Sequence, residues 1–480
     1  MPSSARLPMT LLVAAIVSTG CAAQQPLKPS DSVPPHATDS ATLPPKTPAA
    51  ATRPVAAATP TAVAAKLPIG EDAVVVVDDS LRVRTAPGTG PDAKVLTSLR
   101  AGQEVRIDDG PVDASGYAWY HVHNDEIEGW VAAASTTGEP WLASMAGGWA
   151  GLYWIPGNGP ATGSSRDDVS VFGWSGGYLG FRHKEANSTI DSISVAGSPD
   201  GLHWMAGEDL DLHGAGSYAF ITDLAEGPSG LLAAGRDESC GGAPIAGLWT
   251  SGDGRAWSRV DVDAAFGGGD VDTISGGSSG YVATGSDAAG VAIWLSTDGR
   301  TWRRVPPPVG ELIVTSAVAF ADGFVLGGAV LLPSTDTCGI ALQRPALWWT
   351  ADGSHWSRAN IEGGDGEGSV SVHRITDLAL IAFGGRSRVI STDGRNWQEM
   401  TGQVTLEGRV LTDGRRGIVL PWESDGEIVG FDPELQPIVL AQAGALPTQP
   451  GIFSTAFGPS GLLYANRTGS RVSLGVPVGR

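Results

Sequence analysis

The 480-residue chain sets 31 Lys and Arg against 51 Asp and Glu, a formal charge of −20. Nucleic acid is therefore excluded as an expected partner, since binding it needs a basic footprint, and an acidic surface of this kind suits solubility outside a cell. The three Cys are compatible with export.

Residues 1–20 read as an export signal. Arg6 supplies the positive start, and Leu11-Leu-Val-Ala-Ala-Ile-Val17 is an apolar core too short to span a bilayer as a mature helix. Val17-Ser-Thr-Gly-Cys21 resembles a lipobox, with Ser18 where Leu is commoner. That resemblance implies lipidation of Cys21 and anchorage to the outer face of a bacterial cell membrane, with two acyl chains giving stable attachment. An ordinary secretory signal cleaved near Ala22 or Ala23 is the alternative. Residues 21–70 are rich in Pro, Ala, Thr and Ser and cannot bury enough apolar surface to fold. They are expected to form a disordered, extended linker.

Residues 71–135 read as a separate unit of short strands. Val74–Val77 comes first, followed by Leu81-Arg-Val-Arg-Thr-Ala-Pro-Gly88, Val95–Gly102, Val105–Ile107, Trp119-Tyr-His-Val122 and Gly129-Trp-Val131. This order resembles bacterial SH3 (SH3b) domains. The resemblance implies a small β-barrel and a partner such as peptidoglycan or another cell-wall glycan. It also makes Tyr117, Trp119 and Tyr120 the candidates for a ligand groove, with Trp130 assigned to the core. His121 and His123 share a strand face, but no third metal ligand is evident, and they read as surface histidines.

Residues 136–480 carry five copies of Ser/Thr-x-Asp-Gly-x-x-Trp. They run Ser198 to Trp204, Ser251 to Trp257, Ser296 to Trp302, Thr350 to Trp356 and Ser391 to Trp397. The Asp-to-Asp steps of 53, 45, 54 and 41 residues are the size of a four-stranded propeller blade. Asp-Gly is a hairpin signal, because Gly accepts φ > 0 and Asp can hold backbone N–H groups of its own turn. A Gly-aliphatic strand stands ahead of the motif at Gly230, Gly280 and Gly323, with weaker copies at Gly177 and Gly461. Two degenerate units follow, at about 398–445 and 446–480. The expected fold class is all-β: an SH3-like barrel, then a propeller of seven blades, or six, with the segment around Trp141 to Trp154 lending the strand that closes the ring.

The motif resembles the Asp-box of sialidase-type (BNR) propellers, shortened by one residue. The resemblance makes Asp200, Asp253, Asp298, Asp352 and Asp393 structural turn residues distant from a ligand face. Trp204, Trp257, Trp302, Trp356 and Trp397 read as blade-packing anchors. Cys240 and Cys338 fall in equivalent loops of non-adjacent blades, and a disulfide between them would need both loops to lean over the blade between. Gly276-Gly-Ser-Ser-Gly280 fits a nucleophile elbow by letter but reads as a blade turn, with no helix after it. Phe181-Arg-His-Lys184 is the nearest string to the sialidase Phe/Tyr-Arg-Ile-Pro motif and lacks Ile-Pro. No metal or cofactor signature is found.

The expected function is that of a non-catalytic cell-surface binding or scaffold protein. Its SH3b unit would hold the wall, and its propeller a glycan or an envelope protein. The alternatives are a divergent sialidase-like glycoside hydrolase and a membrane-complex assembly factor.

Overall fold

The computed structural model describes residues 66–160, 168–186, 189–212, 217–239, 246–308, 312–333, 342–361, 367–384, 387–400, 406, 408–421, 426–432, 434–442 and 453–479. Among them no helix is long and apolar enough to cross a membrane.

The first body is a barrel built from β1 (Asp72–Val75), β2 (Leu81–Arg84), β3 (Val95–Leu99), β4 (Glu104–Ala114), β5 (Tyr117–His123), β6 (Glu128–Ala132) and β7 (Leu142–Ser144). Its sheet order is β3-β2-β6-β5-β4-β1-β7. Alternation along these strands turns Ala73, Val75, Leu81, Val83, Val105, Ile107, Tyr120, Val122 and Val131 into one core. The sheet extends past residue 135, because Val74 pairs with Ala143 and so draws β7 into the barrel.

The second body is a ring of seven blades, six of four strands and one extended to five by Asn360–Ile361, which pairs in parallel with Asn396–Glu399. The innermost strands are Asp168–Trp174, Ser217–Gly227, Asp270–Gly277, Leu312–Phe320, Ser371–Thr376, Gly408–Thr412 and Phe453–Gly458. These number blades 1 to 7. In blades 1 to 4 and blade 7 the Gly-aliphatic runs form the second strands, at Gly177–Ala186, Gly230–Ser239, Gly280–Asp287, Gly323–Leu332 and Gly461–Asn466. Blade 7 is completed by β8 (Gly151–Asn158), which pairs along its whole length with Arg471–Val478 as the outermost strand. Closure therefore joins the start of the propeller to its end. Gly276–Gly280 is the turn between the first two strands of blade 3. The acidic stretch 261–272 contains one turn of helix, Asp263–Phe266.

Buried clusters lie between blades. Phe181 and Ile193 of blade 1 pack with Trp249 and Trp257 of blade 2, and Phe266 packs with Trp294 and Trp302 in the next seam. The barrel joins the same system. Val74, Val76 and Ala101 share a cluster with Ile155, Leu474 and Val476 of blade 7. Gly102 has φ +79°, and a Cβ there would stand 2.3 Å from the Ser460 Cα, so the barrel turn rests directly on a blade 7 turn. Arg416 fastens the contact. It donates to Glu104 Oε1 of the barrel at 2.9 Å, to the Pro459 carbonyl at 2.7 Å and to Asp413 Oδ2 at 3.3 Å. Its guanidinium also lies 5.3 Å over the Trp149 ring.

Candidate functional site

Four of the five Asp-Gly turns share one hydrogen-bond pattern, and the Asp352 turn keeps part of it. In the blade 3 turn, Gly299 N donates to Ser296 Oγ at 2.8 Å. Arg300 N and Thr301 N both donate to Asp298 Oδ1, at 2.9 and 2.7 Å. Trp302 Nε1 closes the turn on the Gly299 carbonyl at 3.2 Å. Asp200, Asp253 and Asp393 each accept two backbone N–H groups in the same way. Asp352 accepts the Ser354 N–H at 2.8 Å. The glycines that follow have φ between +69° and +79°, where a side chain is strained.

These hydrogen bonds hold the Asp298 carboxyl at about 2. At Asp393 burial pushes the other way, but the bonds from Asn396 and Arg395 prevail and the value is again about 2. Every one of these carboxylates is spent on its own turn. Trp257, Trp302 and Trp397 are buried. Trp204 and Trp356 are half-buried, and Trp356 Nε1 donates instead to the Pro306 carbonyl at 2.8 Å.

The barrel's aromatic residues divide differently from expectation. Trp119 and Tyr120 are each only 3% exposed and belong to the interior, so they offer no groove wall. Trp119 Nε1 donates to the Ala114 carbonyl at 2.8 Å, and Tyr120 Oη accepts the Leu67 N–H at 3.2 Å. Tyr117 is half-buried and stacks on Trp141, with centroids 5.7 Å apart and planes 27° apart. Trp130, assigned to the core from sequence, is also half-buried, with the His121 ring 5.2 Å away. His121 and His123 both contact Asp108, at 3.3 and 2.8 Å. Among the described residues no group of three or more His, Cys, Asp and Glu is arranged to hold a metal. Cys21, Cys240 and Cys338 lie outside the described residues.

The propeller channel forms a cavity of about 1450 Å³, lined by the innermost strands. Three consecutive strands carry a bulge at the same height, inserting Thr222, Asp272 and Thr315 as extra residues. All three line the channel, which is the usual effect of a bulge in re-aiming a side chain. The next residue in two of these strands bonds to a neighbouring blade. Asp223 Oδ2 accepts the Ile274 N–H at 3.0 Å, and Ser316 Oγ accepts the Val372 N–H at 2.7 Å.

Asp223 keeps a partial opening to the channel but has protein on all sides, and this enclosure raises its pKa to about 6. Hydrogen bonds from Ile274 and Leu224 and the charge of Arg409 oppose the rise. Burial also raises Asp272, reinforced by Asp270 and opposed by Arg236. Arg374 of blade 5 reaches past blade 4 to the Gly276 carbonyl of blade 3 at 3.1 Å. His373 stacks on Phe383, and burial lowers its pKa to about 4, so it is neutral in ordinary conditions. Arg182, from the sialidase-like string, lies on the second strand of blade 1 and is not part of the channel lining.

Sequence inspection placed Trp141 in the ring-closing segment, whereas the closing strand is Gly151–Asn158 and Trp141 lies against Tyr117; it missed the channel groups and Arg416. The bulges did leave a trace. Thr222-Asp223, Asp272-Thr273 and Thr315-Ser316 are adjacent polar pairs that break the alternation of an inner strand.

The architecture defines an all-β protein that joins a bacterial SH3 barrel to a seven-bladed β-propeller. Residues 79–137 match the bacterial SH3 domain family. No curated protein sequence matches the chain. Among solved structures it is similar to the Cps50 (Swd1) propeller domain of Myceliophteria thermophila, with 13% identity, TM-score 0.39, and coverage of 67% of this chain and 99% of that one. It is similar also to virginiamycin B lyase of Staphylococcus aureus, at 11% identity, TM-score 0.39, and coverage of 68% and 100%. A third is the α-L-arabinanase of Penicillium chrysogenum, at 11% identity, TM-score 0.34, and coverage of 68% and 97%.

Proposed function

We propose that this is a non-catalytic binding protein of the bacterial cell envelope. Cys21 carries the lipid anchor, 21–70 is the tether, the barrel holds peptidoglycan or another wall glycan, and the propeller engages a further glycan or an envelope protein. The Asp-Gly turns act as structural Asp-boxes, since their carboxylates are already satisfied within the turn.

The observation that carries the wall-binding reading is the Tyr117–Trp141 stack on a barrel of the bacterial SH3 family. Two partly open aromatic rings give a rigid platform at low entropic cost for the apolar face of a sugar ring. The platform includes Trp141, which lies beyond the family-matched segment.

The test is retention of the full chain on purified cell-wall sacculi, comparing wild type with Tyr117→Ala and Trp141→Ala. Loss of either anchor is expected to reduce retention about tenfold, as for the central aromatic residue of an interface. Unchanged retention in both variants, with unchanged thermal midpoints, would remove the barrel from wall binding. The anchor is tested separately. Cys21→Ser is expected to abolish incorporation of labelled fatty acid and release the protein from membranes.

A further inference from the structure

Most charged groups in the channel are committed. Arg374 is held by the Gly276 carbonyl, and Asp223 accepts the N–H groups of Ile274 and Leu224. Two are not. Arg409, half-buried on the inner strand of blade 6, makes no hydrogen bond or ion pair through its side chain among the described residues. Across the channel its charge opposes the raised pKa of Asp223. Asp272, on the bulge of blade 3, is exposed to the channel; among the described residues it accepts no hydrogen bond, and Arg236, whose charge acts on it, is taken by Asp270. Five guanidinium donors and a carboxylate thus face one cavity from blades on opposite sides of the ring.

A half-buried guanidinium without a hydrogen-bond partner is costly, and clefts that retain such groups are where ligands supply the missing partner, with the exposed Asp272 carboxylate across the channel free to meet the ligand's other end. A neutral glycan would leave both charges uncompensated. A simple anion would satisfy Arg409 but crowd Asp223 and Asp272, and a simple cation would do the reverse. A molecule carrying one charge of each sign satisfies both ends.

We propose that the channel binds a zwitterionic short peptide, its carboxylate on Arg409 and its ammonium on Asp272. Thr222 and Thr315 flank Asp272 on the neighbouring bulges. Their hydroxyls already donate to the Ala234 and Val370 carbonyls and so hold the bulges in place. The opposed placement of the two charged groups favours a peptide over a single amino acid.

The experiment is calorimetric titration of the full chain with alanine, tri-alanine and penta-alanine at millimolar concentration. N-acetylated and C-amidated forms of the peptide that binds best are then titrated. Blocking either terminus is expected to weaken binding about tenfold or more, the worth of a charge-assisted hydrogen bond. In Arg409→Gln, amidation should cost nothing further, and in Asp272→Asn, acetylation should cost nothing further. Asp272→Asn, at an exposed side chain, should leave the thermal midpoint unchanged, and Arg409→Gln should not lower it by several degrees. Three outcomes would overturn the proposal. One is absence of heat from every peptide. Another is binding indifferent to blocked termini. The third is a thermal midpoint lowered by several degrees in Arg409→Gln with no change in binding, which would make the guanidinium a structural partner of Asp223. The probes contain no saccharide, so failure here leaves the wall-binding assignment of the barrel standing.

Discussion

Asp298 gathers the Arg300 and Thr301 N–H groups on one oxygen, and the arrangement repeats around the ring. Removing that acceptor strands two backbone donors at a solvent-accessible turn. Asp298→Ala is therefore expected to cost about 1–2 kcal/mol in urea unfolding, while Asp298→Asn, which keeps one oxygen, should cost less. The depressed carboxyls also set an acid limit. Asp298 and Asp393 stand at about 2 in the folded chain against 3.8 ordinarily. Their stabilisation is complete above the unfolded value and is lost as pH falls from about 4 towards 2. Among the indoles, burial decides the ranking. Trp397, 1% exposed in the seam of blades 4 and 5, should cost about 3–5 kcal/mol on replacement by Ala. Trp356, half open to solvent, should cost clearly less in the same assay.

Between elements, the blades are held by side chains that serve a neighbour's backbone. His183, on the second strand of blade 1, accepts the Ile221 N–H of blade 2 at 3.3 Å. It can do so only while neutral, and burial lowers its pKa to about 4 against the opposing charge of Asp168. The unfolded chain takes up this proton near 6.5 and the folded chain does not, so stability drains away as pH falls from 6.5 towards 4. His373 acts in the same direction. Asp223 acts in the other, because its raised pKa of about 6 makes the folded state the better proton acceptor below that point. A thermal melt series is expected to show a falling midpoint over this range. His183→Gln, which retains an acceptor but cannot titrate, should flatten the slope; an unchanged slope would place the titration elsewhere.

This level also marks how far sequence reading reached. Turns with Asp, Gly and Trp at fixed offsets are local, so blade size and order were visible in the string. The Trp130 assignment failed because both faces of a small barrel alternate apolar residues, and only the packed sheet distinguishes interior from rim. Trp141 was invisible as a partner of Tyr117, since its contact depends on β7 pairing with β1. Arg409 and Asp272 meet only through the ring, and nothing in their neighbourhoods marks them as a pair.

At the scale of the whole molecule, barrel and propeller share a hydrophobic cluster and one multiply bonded arginine. The barrel is thus seated on blade 7 rather than strung beside it. Arg416→Ala removes bonds to Glu104, Pro459 and Asp413 together. It is expected to cost about 1–3 kcal/mol, because the site is only partly shielded from solvent. The sharper sign is cooperativity. The wild type should melt in one transition, and the variant should show an earlier unfolding of the barrel by tryptophan fluorescence. Two separate transitions in the wild type would mean that the seat is not maintained in solution.

The outer strand of blade 7 comes from the front of the propeller sequence and its partner from the back. During synthesis β8 is made first and then waits, edge bare, while six blades are laid down after it. Its match, Arg471–Val478, does not exist until the rest of the ring has been made. A chain cut short by even one strand would keep an open sheet edge at each end of an incomplete ring, the kind of surface on which copies pair with one another. The same closure acts as a completeness check, since only a finished chain can hide both edges.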